Sequence, residues 1–180
     1  MAETAEALAQ VVSAEPVGMI VLRAAPQDAA PAIRAAVGLD LPGLRQMLRD
    51  GARAVAWMSP DEWLLMVPRD GVAEALAAGR AAAGDAFVTL ADVSEARVAF
   101  TIRGPRADEV VMKLCPVDIA RLPEGEIRRT RAAQIAAALW RSGADEITLM
   151  CFRSVSGHAQ ALLETAARPG GAVFPERGQG

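Results

Sequence analysis

Apolar and polar positions in this chain come in short blocks whose period changes repeatedly. Met19-Ile20-Val21-Leu22 is a compact apolar run that reads as a buried strand. From Asp28 to Val37 the period lengthens: Ala30, Ile33, Ala36 and Val37 share one helical face, and Gly38 stops it. Leu39 to Gly51 is a connector with Pro42-Gly43 and room for one turn of helix. Ala54 to Met58 and Trp63 to Val67 flank the polar turn Ser59-Pro60-Asp61-Glu62, the pattern of a β-hairpin. A helix follows from Val72 to Ala83. Phe87–Val93 and Arg97–Ile102 are strands; in the second, Val98, Phe100 and Ile102 alternate with Arg97, Thr101 and Arg103. Pro105 opens a helix over Arg106–Leu114, followed by a loop over Cys115–Gly125. Glu146 to Phe152 is a strand, and Ser154 to Ala167 is a helix closed by Pro169-Gly170-Gly171.

One segment carries conflicting signals. Ala132 to Trp140 is Ala-rich, the composition of a helix. Ile127, Arg129 and Arg131 nevertheless lead into it with strand-like alternation. An internal comparison favours the strand. Trp57 to Met66 resembles Trp140 to Met150 with one extra turn residue, and each is followed by an apolar residue and a helix. The chain then parses as two copies of strand, helix, hairpin, helix. The expected fold is α+β: two ferredoxin-like strand-helix-hairpin-helix repeats, about 18–84 and 87–167, forming one antiparallel-sheet sandwich domain over 18–167. Residues 1–17, a short Ala-rich helix or frayed segment, and 168–180 are expected to be flexible.

Composition narrows the classes. The 180 residues are 52% hydrophobic and 23% charged, enough to bury a core. No apolar run reaches the roughly 18 residues of a spanning helix. Glu3 and Glu6 stand where a secretory leader needs positive charge, so a cytoplasmic protein is expected. A net charge of -3 gives no footprint for nucleic acid, and 4% aromatics without tyrosine give no base-stacking platform. Of 19 basic residues a single one, Lys113, is lysine. That bias reflects either GC-rich coding or a use of arginine forks at interfaces.

Candidate chemistry is sparse. Cys115 and Cys151 belong to no CxxC, and with His158 as the one histidine a zinc site is hard to complete. His158 also lacks the nucleophile and orienting group of a catalytic set. Asp61-Glu62 and Asp145-Glu146 sit in turns, where aspartate favours turn chemistry. Asp92, at the end of an apolar strand, either pairs with an arginine such as Arg97 or contacts a ligand. Arg128, Arg129 and Arg131, with Arg153 beyond, are either a solvated strand face or a docking surface for an acidic partner. Trp57, Met58, Trp63, Met66 and Trp140 are core residues, or an apolar surplus for subunit association where a hairpin lies exposed. No catalytic, cofactor-binding or metal-binding residue is assigned.

Several motifs occur together in order: Val55-Ala56-Trp57-Met58-Ser59-Pro60-Asp61-Glu62-Trp63-Leu64-Leu65, Asp92-Val93-Ser94-Glu95-Ala96-Arg97, Gly104-Pro105, Lys113-Leu114-Cys115-Pro116-Val117-Asp118, Arg128-Arg129-Thr130-Arg131, Ala138-Leu139-Trp140-Arg141 and Cys151-Phe152-Arg153-Ser154-Val155. From about Gly18 to Ala167 the chain resembles the gamma subunits of heterotetrameric sarcosine oxidases. The resemblance implies a non-catalytic subunit of a complex that demethylates sarcosine to glycine, with hydrogen peroxide and either formaldehyde or 5,10-methylenetetrahydrofolate as the other products. It implies that FAD, FMN, NAD, zinc and tetrahydrofolate belong to the partner alpha, beta and delta subunits. It also implies a fold related to the folate-binding T-protein of the glycine cleavage system. Arg128, Arg129, Arg131, Arg153, Trp57 and Trp63 are then subunit-contact candidates. The rival reading is a stand-alone folate-binding or aminomethyltransferase-like module, with Asp92 gripping the pterin.

Overall fold

The computed structural model describes residues 6–173. The architecture is α+β, with two five-stranded antiparallel sheets and four α-helices among the described residues. No helix among them is long and apolar enough to cross a membrane. The chain divides into two compact units. One comprises Glu15–Arg97 and Gly125–Ile127; the other takes the rest of the described residues.

In the first unit β2 (Gly18–Arg23) is followed along the chain by α1 (Pro26–Val37), β3 (Met47–Asp50), β4 (Arg53–Ser59), β5 (Glu62–Val67), α2 (Val72–Ala83) and β6 (Thr89–Asp92), and it lies between β5 and β6 in the sheet. The sheet order is β3-β4-β5-β2-β6. Pro26 sits at the start of α1, where its missing N–H is no loss, and Gly38 closes the helix at φ 75 with its N–H on the Arg34 carbonyl. Ala29, Ala32, Ile33, Ala36 and Val37 face the core with Ile20, Leu22, Val55, Trp63 and Leu65. Small side chains let α1 and α2 approach closely: a Cβ on Gly79 would lie 3.4 Å from the Ala32 carbonyl and 3.1 Å from Leu90 Cδ1. Gly18 is tighter still, because a Cβ there would stand 2.3 Å from Val72 Cγ2.

The second unit contains β1 (Gln10–Ser13), β7 (Arg97–Arg103) from Val98 onward, α3 (Ala107–Met112), β8 (Ile127–Ala132) from Arg128 onward, β9 (Ile135–Gly143), β10 (Glu146–Phe152) and α4 (Ser156–Ala166). Its order is β1-β7-β10-β9-β8. Phe100, Ile102, Leu139, Ile147 and Leu149 form its core with Val110, Val111, Ala159 and Leu163 from the helices. Each fully buried aliphatic side chain contributes about 1.5–3 kcal/mol.

Three expectations need correction. The expected flexible segment 1–17 holds an ordered strand in its described part. Val11 and Val12 are β-branched, and Gln10–Ser13 pairs antiparallel with Arg103–Phe100. Residues 1–5 and 174–180 lie outside the described residues. The connector over 39–51 ends in strand β3, which pairs Met47 with Ala56 and Asp50 with Arg53. The two hairpins also match differently from the sequence comparison. Both have two-residue loops, Pro60-Asp61 and Ala144-Asp145, and both skip one residue of the first strand, Met58 or Ser142. Trp57 therefore corresponds to Arg141, not to Trp140. A one-residue slip puts a side chain on the opposite face, so Trp57 packs toward the helix-side core and Trp140 does not.

Candidate interaction surface

The arginine-rich run becomes the edge strand β8. Its pleat places Arg129 and Arg131 outward on one face, both exposed, while Arg128 is half-buried on the other. Charged side chains on an edge strand also block unwanted strand pairing. Arg153 is exposed in the short turn before α4. These four arginines belong to the second unit, and Trp57 and Trp63 to the first. Trp63 is 1% exposed within the first unit's core, so it is no contact residue for another chain. Trp57 is half-buried against that same core. Strand periodicity does not say which sheet face is covered, and so leaves the indole at position 63 open to either a core or a contact role.

Asp92 is exposed at the end of β6. Its Oδ1 accepts the Ser94 hydroxyl at 2.5 Å and the Ser94 N–H at 2.9 Å. The buried Ser94 hydroxyl oxygen in turn accepts the Met19 N–H at 2.8 Å. Ser94 hydroxyl and amide donation, with Arg69 nearby, hold the Asp92 carboxyl below its ordinary value. The arginine near Asp92 is thus Arg69; Arg97 instead meets Glu62 at 4.0 Å. This carboxylate shapes a turn that locks strand β2 to the chain after β6.

The cysteines are buried free thiols. Burial pushes Cys115 up to about 11 and raises Cys151, so neither is a thiolate nucleophile at neutral pH. Among the described residues no group of three or more His, Cys, Asp or Glu side chains is placed to hold a metal ion. A shallow cleft of about 250 Å³ in the first unit is lined by Arg53, Asp70 and Glu74 among alanines of α1 and α2.

Sequence reasoning missed the most heavily used polar residues. Arg141 donates from Nη2 to both Asp108 carboxylate oxygens, at 3.0 and 3.2 Å, and to the Ile119 carbonyl at 2.8 Å. Its Nε and Nη1 donate to the carbonyls of Leu122 and Ala144, each at 3.1 Å. One planar fork thereby pins α3, the 119–122 loop and the hairpin turn to β9. Glu109, 5% exposed, accepts Arg106 Nε at 2.8 Å and the Val173 N–H at 2.6 Å, with Lys113 Nζ 3.6 Å away. Lys113 donates to the carbonyls of Ala166 (2.9 Å) and Gly171 (2.6 Å), capping the end of α4. A single lysine among 18 arginines was the signal for that position: a compact ammonium suits three convergent acceptors.

A different feature is exposed. Leu44 and Arg45 form the tip of a turn in which the Gln46 N–H donates to the Gly43 carbonyl at 3.0 Å. Arg45 has φ 59, a conformation at the third turn position that favours glycine. For an arginine this costs about 1–2 kcal/mol. Its ion pair with Glu126, at 3.6 Å and 48% side-chain exposure, contributes about 0–1 kcal/mol and does not offset that cost. Leu44 is 68% exposed.

Comparison with known proteins supplies the context for these surfaces. Residues 23–168 match the family described as "Sarcosine oxidase, gamma subunit family". The chain is 31% identical over 147 residues to a protein named sarcosine oxidase subunit gamma from Corynebacterium sp. strain P-1, covering 77% of this chain and 71% of that one. A chain in a structure of heterotetrameric sarcosine oxidase from Corynebacterium sp. U-96, in complex with pyrrole 2-carboxylate, superposes with a TM-score of 0.83 at 26% identity, covering 93% of this chain and 88% of that one. The glycine cleavage system aminomethyltransferase T of Bartonella henselae shares the fold, with a TM-score of 0.67 at 15% identity over 89% of this chain and 46% of that one. A match over most of the length, in sequence and in fold alike, makes this chain a member of the sarcosine oxidase gamma subunit family.

Proposed function

We propose that this chain is a structural, non-catalytic subunit of a heterotetrameric sarcosine oxidase. The complex would work in the cytoplasm and demethylate sarcosine to glycine, releasing hydrogen peroxide and yielding formaldehyde or 5,10-methylenetetrahydrofolate. FAD, FMN, NAD, zinc and tetrahydrofolate would be held by the partner alpha, beta and delta subunits. The observation that carries this reading is the superposition of nearly the whole chain on a chain of a heterotetrameric sarcosine oxidase. The use of the polar side chains supports it. Asp108, Glu109, Arg106, Lys113 and Arg141 are all committed to intrachain contacts that fix helices and loops. Arg129, Arg131 and Arg153 are exposed and suit carboxylates on a partner.

The two units are read as two copies of one ferredoxin-like plan. Strand, helix, hairpin and helix recur as β2-α1-β4-β5-α2 and β7-α3-β9-β10-α4, and the sheets share one order with β3, β6 in the places of β8, β1. An Arg at the end of the first strand of each copy meets an acid of the hairpin: Arg23 with Asp61 at 2.7 Å, Arg103 with Glu146 at 2.6 Å. The strand that precedes each copy lies in the other copy's sheet: β1 beside β7, β6 beside β2.

A folate-binding module acting alone gains no support from Asp92, whose Oδ1 is held by Ser94. The test is sarcosine-dependent peroxide release, measured for the purified chain and for the complex co-expressed with the other subunits. Activity is expected in the complex alone; turnover by the isolated chain would refute the proposal.

A further inference from the structure

We infer that the Gly43–Gln46 turn is a docking tip, which presents Leu44 and Arg45 to another subunit of the oxidase bearing an apolar notch with a carboxylate at its rim. The inference rests on the subunit reading above and names one contact within it.

The turn is held from every side. The Gly43 N–H donates to Gln46 Oε1 at 2.9 Å, and the Gln46 N–H donates back to the Gly43 carbonyl at 3.0 Å. The Arg45 carbonyl accepts the Ile127 N–H at 2.8 Å, and the Met47 N–H donates to the Gly125 carbonyl at 2.8 Å. The Gln46 carbonyl accepts the Trp57 N–H at 2.9 Å. Such a network fixes the backbone before any partner arrives, which removes the ordering cost of association.

The network requires a left-handed residue at position 45, and glycine meets that requirement without strain. Nothing in the backbone pairing requires a guanidinium there. Its ion pair with Glu126 is long and half-exposed. A strained residue held by well-made surroundings points to use of its side chain. Beside it, Leu44 is 68% exposed, an apolar side chain on a rigid support. A cation next to an apolar knob is complementary to an apolar notch edged by Asp or Glu.

The test uses the tagged chain co-expressed with the other subunits of the oxidase, as wild type, Arg45→Gly and Leu44→Asp. Association is measured by titrating each purified chain against the remaining subunits, and the melting temperature of each isolated chain is recorded alongside. Arg45→Gly is expected to melt higher than wild type, because strain is relieved, yet to bind roughly ten-fold more weakly. Leu44→Asp is expected to melt like wild type and to bind at least as weakly as Arg45→Gly. A folding defect cannot mimic the first result, since stability and affinity move in opposite directions. Wild-type affinity in both variants would overturn the docking tip and leave the subunit reading intact. Failure of the wild-type chain itself to associate would overturn the subunit reading, and this inference with it.

Discussion

Arg141 illustrates what one side chain does when all its donors find acceptors. Replacing it with alanine takes the Arg141 cation from Asp108, 19% exposed at its side chain, and removes one donor from each of the Ile119, Leu122 and Ala144 carbonyls. Arg141→Ala is expected to destabilise the chain by about 2–4 kcal/mol in urea unfolding. Arg141→Lys should recover little, because an ammonium cannot span acceptors arranged for a planar fork. Recovery of wild-type stability by lysine would contradict this account. Four carboxyls supply a pH signature. Glu109 lies below its ordinary 4.5: burial, the largest influence, pushes it up, but the Val173 N–H, Arg106 and Lys113 together outweigh it. Asp61 is lowered by the Ser59 hydroxyl and Arg23, Asp92 by Ser94, and Glu146 by Arg103. In each case the unfolded chain binds the proton more readily than the folded one, so stability is full above the ordinary values of 3.8 and 4.5 and is lost as pH falls through the folded values. The urea midpoint should fall as the pH drops below about 4.5, and Glu109→Gln should flatten part of that slope. A midpoint that does not fall on acidification would contradict it.

At the scale of elements, local strain gives a prediction of opposite sign. Ala133, in the two-residue loop between β8 and β9, has φ 51. Ala133→Gly removes that strain and is expected to stabilise by about 1 kcal/mol, read as a higher melting temperature; a fall would show that the methyl group has a packing role. Elements also show where the sequence was informative. Alternation from Ile127 into Ile135–Gly143 outweighed the helix propensity of Ala132 to Ala138, because a sheet position is decided by packing on both faces. Helix α1 was legible from its apolar period and from Gly38. Strand β1 was not, since Val11-Val12 between polar residues carries too short a pattern, and its partner β7 lies some 90 residues away. Strand β3 was hidden for the same reason: Met47-Leu48-Arg49-Asp50 acquires its meaning from pairing with β4.

For the whole molecule, ordered motifs pointed to the family more surely than single residues pointed to a surface. Exposure is a tertiary property, so the sequence could not separate Trp63, enclosed in the core, from Arg129 and Arg131 on an open edge. The same limit concealed Arg141, whose acceptors come from residues 108, 119, 122 and 144. The proposal is a division of labour: interior polar groups hold this chain together, and exterior arginines and a strained turn would meet other chains. Native mass spectrometry of material purified through a tag on this chain, co-expressed with the other oxidase subunits, tests that division most directly. The expected result is one assembly containing this chain together with those subunits; recovery of this chain alone, folded and separate from them, would contradict the account.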